Sequence, residues 1–274
     1  MFLKMNRLFP FLLCALFLTS CNEYQKVLKS EDTKVKYDAA ETYYKAGDFK
    51  RANRLFEIIH PNYVGKPQGE RVMFFLSDSY YKTKDYNTAG YQFERFIKSY
   101  PKSDKVQEAA FLGAKSYYHL SPKYSLDQTD TDKALFKLQN FINAYPNSEY
   151  LAEANILAKE LTTKKEKKAF EIAKQFSKLG ENYILDYSIS AIAALDNFMI
   201  DFPGSKFREE ALYRKVEATT NLAINSTQYR LQERIDNAKE AYQTLVKKFP
   251  ETTFKKDADK LLEKVEKASI NVIN

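Results

Sequence analysis

Four windows of this 274-residue chain, set around Pro101, Pro146, Pro203 and Pro250, carry one pattern. Twelve residues before each proline stands an alanine: Ala89, Ala134, Ala191, Ala238. Eight before stands Phe93, Leu138, Leu195 or Tyr242, and five before stands Phe96, Phe141, Phe198 or Leu245. The residue preceding proline is always aromatic (Tyr100, Tyr145, Phe202, Phe249), and a hydroxyl follows two residues after it (Ser103, Ser148, Ser205, Thr252). An acid and an alanine close each window, from Glu108-Ala109 to Asp257-Ala258. A chain that repeats itself this way must stack, because one unit alone cannot bury its apolar face.

The offsets −12, −8, −5 and −1 step by four, three and four, which places one apolar stripe along an α-helix. Alanine in that stripe allows a neighbouring helix to approach closely. Proline cannot continue a helix and biases the aromatic before it away from helical dihedrals, so each helix should stop there. The hydroxyl two residues on is expected to cap the following helix. Each copy reads as helix, tight turn, helix. Seven glycines and eight prolines leave little room for β-turn chemistry, so the expected fold class is all-α.

This grammar resembles the tetratricopeptide repeat. Met73, Leu76, Ser77, Tyr80, Tyr86, Ala89, Phe93, Phe96 and Pro101 stand at the spacing of a 34-residue copy, and Ala39, Ala40, Tyr43, Gly47, Phe49, Ala52, Phe56 and Ile59 form an earlier one. Later copies are longer, with proline-to-proline spacings of 45, 57 and 47 residues. The surplus falls between the two helices of a unit: Ser121 to Thr131, a helical stretch near Ala158 to Tyr187, and Ala223 to Arg234. The resemblance implies a tetratricopeptide-repeat solenoid over 34–274, with N-terminal repeats at about 34–146 and C-terminal repeats at about 147–274. It comprises five helix pairs and a capping helix near Phe254 to Ser269.

The N-terminus suggests a compartment. Lys4 and Arg7 precede an eleven-residue apolar run, Leu8 to Leu18, about half the roughly 20 residues a spanning helix needs. Residues 1–20 therefore read as a signal peptide. The run ends Leu18-Thr19-Ser20-Cys21, which resembles the bacterial lipobox. That resemblance implies cleavage before Cys21 and its lipidation, with 21–33 as a lipidated linker. Diacylglycerol and an acyl chain suffice for stable anchoring at about 0.8 kcal/mol per buried methylene. Asn22 rather than aspartate follows the cysteine, favouring the periplasmic face of the outer membrane. Cys14 would leave with the signal, so no disulfide is expected.

The formal net charge is +7, yet acids interleave with the lysines nearly everywhere. Even Lys164-Lys165-Glu166-Lys167-Lys168 reads as a solvated helix surface, and nucleic acid is not an expected partner. No enzyme is expected either. His60 and His119 lie in different repeats outside any zinc spacing, and no phosphate loop or nucleophile elbow occurs. Asp130 and Asp132 read as solvation and helix-start residues rather than as a catalytic pair. No cofactor and no metal site is expected.

If the first helix of each unit runs as in tetratricopeptide proteins, a groove should be lined by Tyr37, Glu41, Tyr44 and Lys45, by Arg71, Phe74, Asp78, Tyr81 and Lys82, and by Ser116 and His119. Aromatics mixed with cations suit an extended peptide with aromatic side chains and a terminal carboxylate. Together with Glu23-Tyr24-Gln25-Lys26-Val27-Leu28 soon after the cysteine, lipobox and repeats resemble the BamD family of the outer-membrane β-barrel assembly machinery. The resemblance implies a lipid-anchored scaffold whose N-terminal repeats engage unfolded outer-membrane proteins. Its C-terminal repeats, with Arg208 and Arg214 as docking candidates, would hold a BamA-like barrel protein. Another tetratricopeptide envelope lipoprotein, scaffolding peptidoglycan synthesis or glycan uptake, shares these features.

Overall fold

The computed structural model describes residues 23–182 and 184–273. The signal segment and Cys21 lie outside the described residues. Among the described residues every regular element is helical. A helical segment over residues 23–29 precedes α1 (Thr33–Lys45), α2 (Phe49–Tyr63), α3 (Gly69–Lys82), α4 (Tyr86–Ser99), α5 (Val106–Leu120) and α6 (Thr129–Ala144). Then follow α7 (Leu151–Asn182), α8 (Asp186–Asp201), α9 (Arg208–Ile224), α10 (Gln228–Lys248) and α11 (Lys255–Ile273). The all-α tetratricopeptide architecture is as expected: five pairs, α1/α2 to α9/α10, and a closing helix.

The chain divides into two compact units, one ending at Pro122 and resuming over Gln128–Lys159, the other made of Lys123–Asp127 and the chain from Glu160 onward. In the first, each of α1 to α6 packs on the next, around Ala52, Leu55, Phe56, Ala89, Phe93 and Phe96. In the second, α8 to α11 do the same, with Phe170, Leu195 and Phe198 forming one core and Leu212, Val216 and Leu245 another.

Local chemistry sets the boundaries. The turns into α2 and α4 each pass through a left-handed residue, Gly47 (φ 79°) and Lys84 (φ 66°), and then an aspartate N-cap. Asp48 accepts from the Arg51 amide and Asp85 from the Thr88 amide, both at 3.2 Å. The helices before the four prolines end alike, the amides of Tyr100, Tyr145, Phe202 and Phe249 returning to the carbonyls of Phe96, Phe141, Phe198 and Leu245. The stripe is core: Ala89, Ala134, Ala191 and Ala238 are all buried, as are Phe96, Phe141 and Phe198.

The hydroxyl after proline does something other than cap a helix. The N-cap positions of α5 and α9 are Lys105 and Phe207, neither with a side-chain cap. Ser103, Ser205 and Thr252 instead accept from amides two residues on and donate to a glutamate of the preceding pair's first helix: Glu70 (2.6 Å), Glu166 (2.8 Å) and Glu209 (2.7 Å). Ring stacking works beside this latch. Four residues after proline, Tyr150, Phe207 and Phe254 lie nearly parallel on Phe111, Phe170 and Tyr213, at 4.9, 5.2 and 4.5 Å. Lys105 occupies the same column and lies 5.4 Å over Phe74. Latch and ring stack coincide after Pro203 and Pro250, while Pro101 is followed by the latch with a lysine–ring contact and Pro146 by the stack.

The three surplus segments meet different fates. Ser121 to Gln128 is an irregular insert between α5 and α6, the fourth unit's surplus lengthens α7 to 32 residues, and the fifth's lengthens α10 to 21.

Candidate functional site

In the first unit the odd-numbered helices α1, α3 and α5 bring most of the expected groove residues together. The Tyr44 hydroxyl donates to Asp78 at 2.5 Å, and its ring stacks on Phe75 with 4.4 Å between centroids. Arg71 pairs with Glu41 at 3.0 Å and lies 5.3 Å over the same Phe75 ring, while Lys45 reaches Glu41 at 3.6 Å. Tyr37 packs on Tyr63, and burial, with a hydrogen bond to Glu41, pushes its hydroxyl up to about 12. Tyr37, Glu41, Tyr44, Lys45, Arg71 and Asp78 thus make one patch. Burial also raises the Asp78 carboxyl above its ordinary range, against the lowering effect of Tyr44 and Lys82.

Tyr81 and His119 form a second group. The Tyr81 hydroxyl lies 3.3 Å from His119 Nε2, and the imidazole stacks on Tyr86 at 4.3 Å. Burial and then Lys115 hold His119 below its usual range. Lys82 is exposed and close enough to Asp78 to lower its carboxyl, and Ser116 is fully buried. One expected wall residue is misplaced. Phe74 is 6 % exposed and packs edge-on against Phe93 and Phe96, so it is core, and Phe75 takes its place in the groove. Stepping 71, 75, 78, 82 along α3, a true helical face, finds it. Glu41 already engages two cations, so an arriving carboxylate must compete for Arg71 and Lys45 or settle at Lys82.

In the second unit a cleft of about 680 Å³ opens between α8, α9 and α10. Its floor is apolar (Met199, Leu212, Ala241) and its rim carries Lys215, Arg234, Glu240 and Lys248. Arg208 lines it too, while donating to the carbonyls of Met199 (3.0 Å) and Pro203 (3.3 Å), where it satisfies the end of α8. Arg214 is elsewhere. It bridges Glu210 (3.1 Å) and Glu217 (2.7 Å) in a half-buried network that also takes Lys174. Burial raises Glu217 even beside that guanidinium. The two docking candidates are therefore not one site, and the cleft's lining was not anticipated. Its signal was the small Ala241, in the column where the third repeat carries Lys137.

Among the described residues no group of His, Cys, Asp and Glu is arranged to hold a metal ion, and no helix is long and apolar enough to cross a membrane. Stacked helix pairs with a groove on one set of helices and a cleft on another define a tetratricopeptide-type repeat protein. The chain belongs to the YfiO family, described as outer membrane lipoproteins, whose model matches residues 29–184 and 175–269. No curated protein matches it. A solved chain described as "Computational Design of Self-Assembling Cyclic Protein Homooligomers" is 14 % identical over 91 % of this chain and 89 % of that one, with a TM-score of 0.24.

Proposed function

We propose that the protein is a non-enzymatic scaffold of outer-membrane β-barrel assembly, held at the periplasmic face of the outer membrane by a lipid on Cys21. The observation that carries the proposal is the family match over both halves of the described chain, an outer membrane lipoprotein family. The groove of α1, α3 and α5 supports a role in engaging unfolded barrel proteins through a terminal carboxylate and aromatic side chains. The cleft of α8 to α10, with Arg208 on its wall, supports docking of a BamA-like barrel protein. A cleft of apolar floor and mixed charged rim is built as protein–protein interfaces are.

Crosslinked purification from envelope membranes tests this. A BamA-like barrel protein should accompany the chain, and Cys21→Ser should release it to the soluble periplasmic fraction. Recovery of peptidoglycan synthases or glycan-uptake components in place of the barrel protein would overturn the assignment. Titration of a peptide ending in phenylalanine tests the groove: charge reversal at Arg71 and Lys82, or amidation of the peptide, should weaken binding by about 1–3 kcal/mol.

A further inference from the structure

The irregular insert between α5 and α6 does not hang free. Residues 123–127 belong to the second unit, where they lie across α7. Lys167 sits 4.3 Å over the Tyr124 ring and Lys168 Nζ donates to the Leu126 carbonyl at 2.7 Å, which clamps the loop to the helix. The run Lys164 to Lys168, expected to be a solvated surface, is half-buried throughout.

Two clefts result, one on either side of Tyr124. The first, about 500 Å³, gathers Lys123, Lys164, Lys167 and Lys206 around a single carboxylate, Glu160. The second, about 350 Å³, is lined by Lys168, Lys178 and one carboxylate, Glu171; its third lysine, Lys174, pairs with Glu210 at 2.7 Å. Burial lowers the Lys164 ammonium, so an arriving anion would offset a cost already present in the fold. Beside the cations two aliphatic side chains stand out, Leu126 at 57 % and Ile172 at 44 % exposure.

We propose that these clefts bind the phosphate-bearing headgroups of anionic phospholipids, with Leu126 and Ile172 entering the interfacial layer. Three observations carry this beyond a generic positive patch. The cationic side chains in both clefts are all lysines. Lysine offers point charges rather than the planar fork that fixes one carboxylate, which suits a fluid population of headgroups. Exposed apolar residues bracketed by lysines match an interface whose one side is wet and charged and whose other side is hydrocarbon. The family is one of outer membrane lipoproteins, so a bilayer surface is within reach. The inference rests on the membrane location proposed above but not on the acyl chain.

Vesicle co-flotation tests it, using the chain without residues 1–20 and with Cys21→Ser, so that no lipid anchor contributes. The protein should float with vesicles of phosphatidylglycerol mixed equally with phosphatidylcholine and stay behind with phosphatidylcholine alone. Near a surface each lysine contributes on the order of a fivefold change in affinity. Lys164→Gln, Lys167→Gln and Lys168→Gln together should therefore reduce binding on the order of a hundredfold, and Leu126→Ala should reduce it several-fold. Lys256→Gln, Lys264→Gln and Lys267→Gln on α11 remove the same charge elsewhere and should leave most of the binding intact. Circular dichroism verifies that each variant is helical. Equal loss in the α11 variant would reduce the site to diffuse net charge. Binding to a polyglutamate peptide but not to anionic vesicles would assign the clefts to an acidic protein. Either result overturns the proposal, and neither touches the Cys21 anchor.

Discussion

The same inter-repeat space occurs twice in register and is open in only one place. Between α4, α5 and α6 it is a cleft of about 210 Å³, and between α8, α9 and α10 one of about 680 Å³. Counted from the prolines, Glu94 matches Asp196, Ile97 matches Met199, Ala110 matches Leu212 and Asn140 matches Thr244. The acid seven before proline is paired in both, but by lysines from different helices. In the first unit Lys137 of α6 reaches across to Glu94 at 2.8 Å and closes the space. In the second that column is Ala241, and Asp196 is paired at 2.6 Å by Lys215 from α9, along the wall. One lysine moved from the far helix to the near one keeps the ion pair and frees the cleft. A repeat protein can therefore specialise one joint of many without altering its packing.

The packed cores beside the two clefts should prove equally structural. Phe141→Ala should cost about 3–5 kcal/mol and Leu245→Ala about 2–5 kcal/mol in urea unfolding, both being buried core residues whose removal leaves a cavity. A Leu245→Ala cost below about 1 kcal/mol would mean that the core beside the open cleft is not packed like the one beside the closed cleft. Ala241→Lys should restore the arm that closes the first cleft. Affinity for the proposed barrel partner should fall at least about tenfold, or 1.4 kcal/mol, and because Ala241 is buried the longer side chain should also cost about 1–3 kcal/mol of unfolding stability. Lys137→Ala and Lys215→Ala each remove one half-exposed ion pair, so each should cost only about 0.2–1 kcal/mol. Unequal values would show which geometry carries more of the joint.

The smallest effect is a pH slope that distinguishes the first unit. Asp78 is raised above 3.8 chiefly by burial, and its partner is a neutral tyrosine hydroxyl. The folded chain thus holds that proton more tightly than the unfolded one. Its contribution to stability is complete below pH 3.8 and is lost as pH rises through the higher folded value. Asp78→Asn should flatten thermal stability through that window, while Tyr44→Phe, which removes the lowering hydrogen bond, should extend the slope upward.

Much of this was legible in the sequence because it is written in columns. Ala89, Ala134, Ala191 and Ala238 read as helix-crossing residues because four copies agree, and all four are buried. The hydroxyl column was equally visible, but its partners, Glu70, Glu166 and Glu209, lie 33, 39 and 43 or more residues away. Spacing within a helix cannot reveal a bond to the previous pair. Phe74 and Phe75 are neighbours of the same kind, and only the packing of α4 decides which is core. The lysines of α7 read as a solvated face because their cover arrives from an insert some forty residues earlier, as the Lys168–Leu126 bond shows. The open cleft depended on a missing side chain, Ala241, and absence in one copy is the faintest signal a repeat can carry.

The joint of latch and stack draws on the turn after proline, with the latch after Pro101, Pro203 and Pro250 and the stack after Pro146, Pro203 and Pro250, and on the first helix of the pair before. It uses nothing from the connection between α5 and α6 or between α9 and α10. Those connections are consequently free to vary in length, and in this chain one is a loop and the other is taken up in the longer α10, whereas in the fourth pair Glu166 and Phe170 of the joint stand on the lengthened α7 itself. Insertions and deletions accumulated over evolutionary time should therefore gather between the helices of a pair and avoid the residues that follow the prolines. A lineage can add new surface, such as the insert around Tyr124, without renegotiating the pitch at which its repeats are stacked.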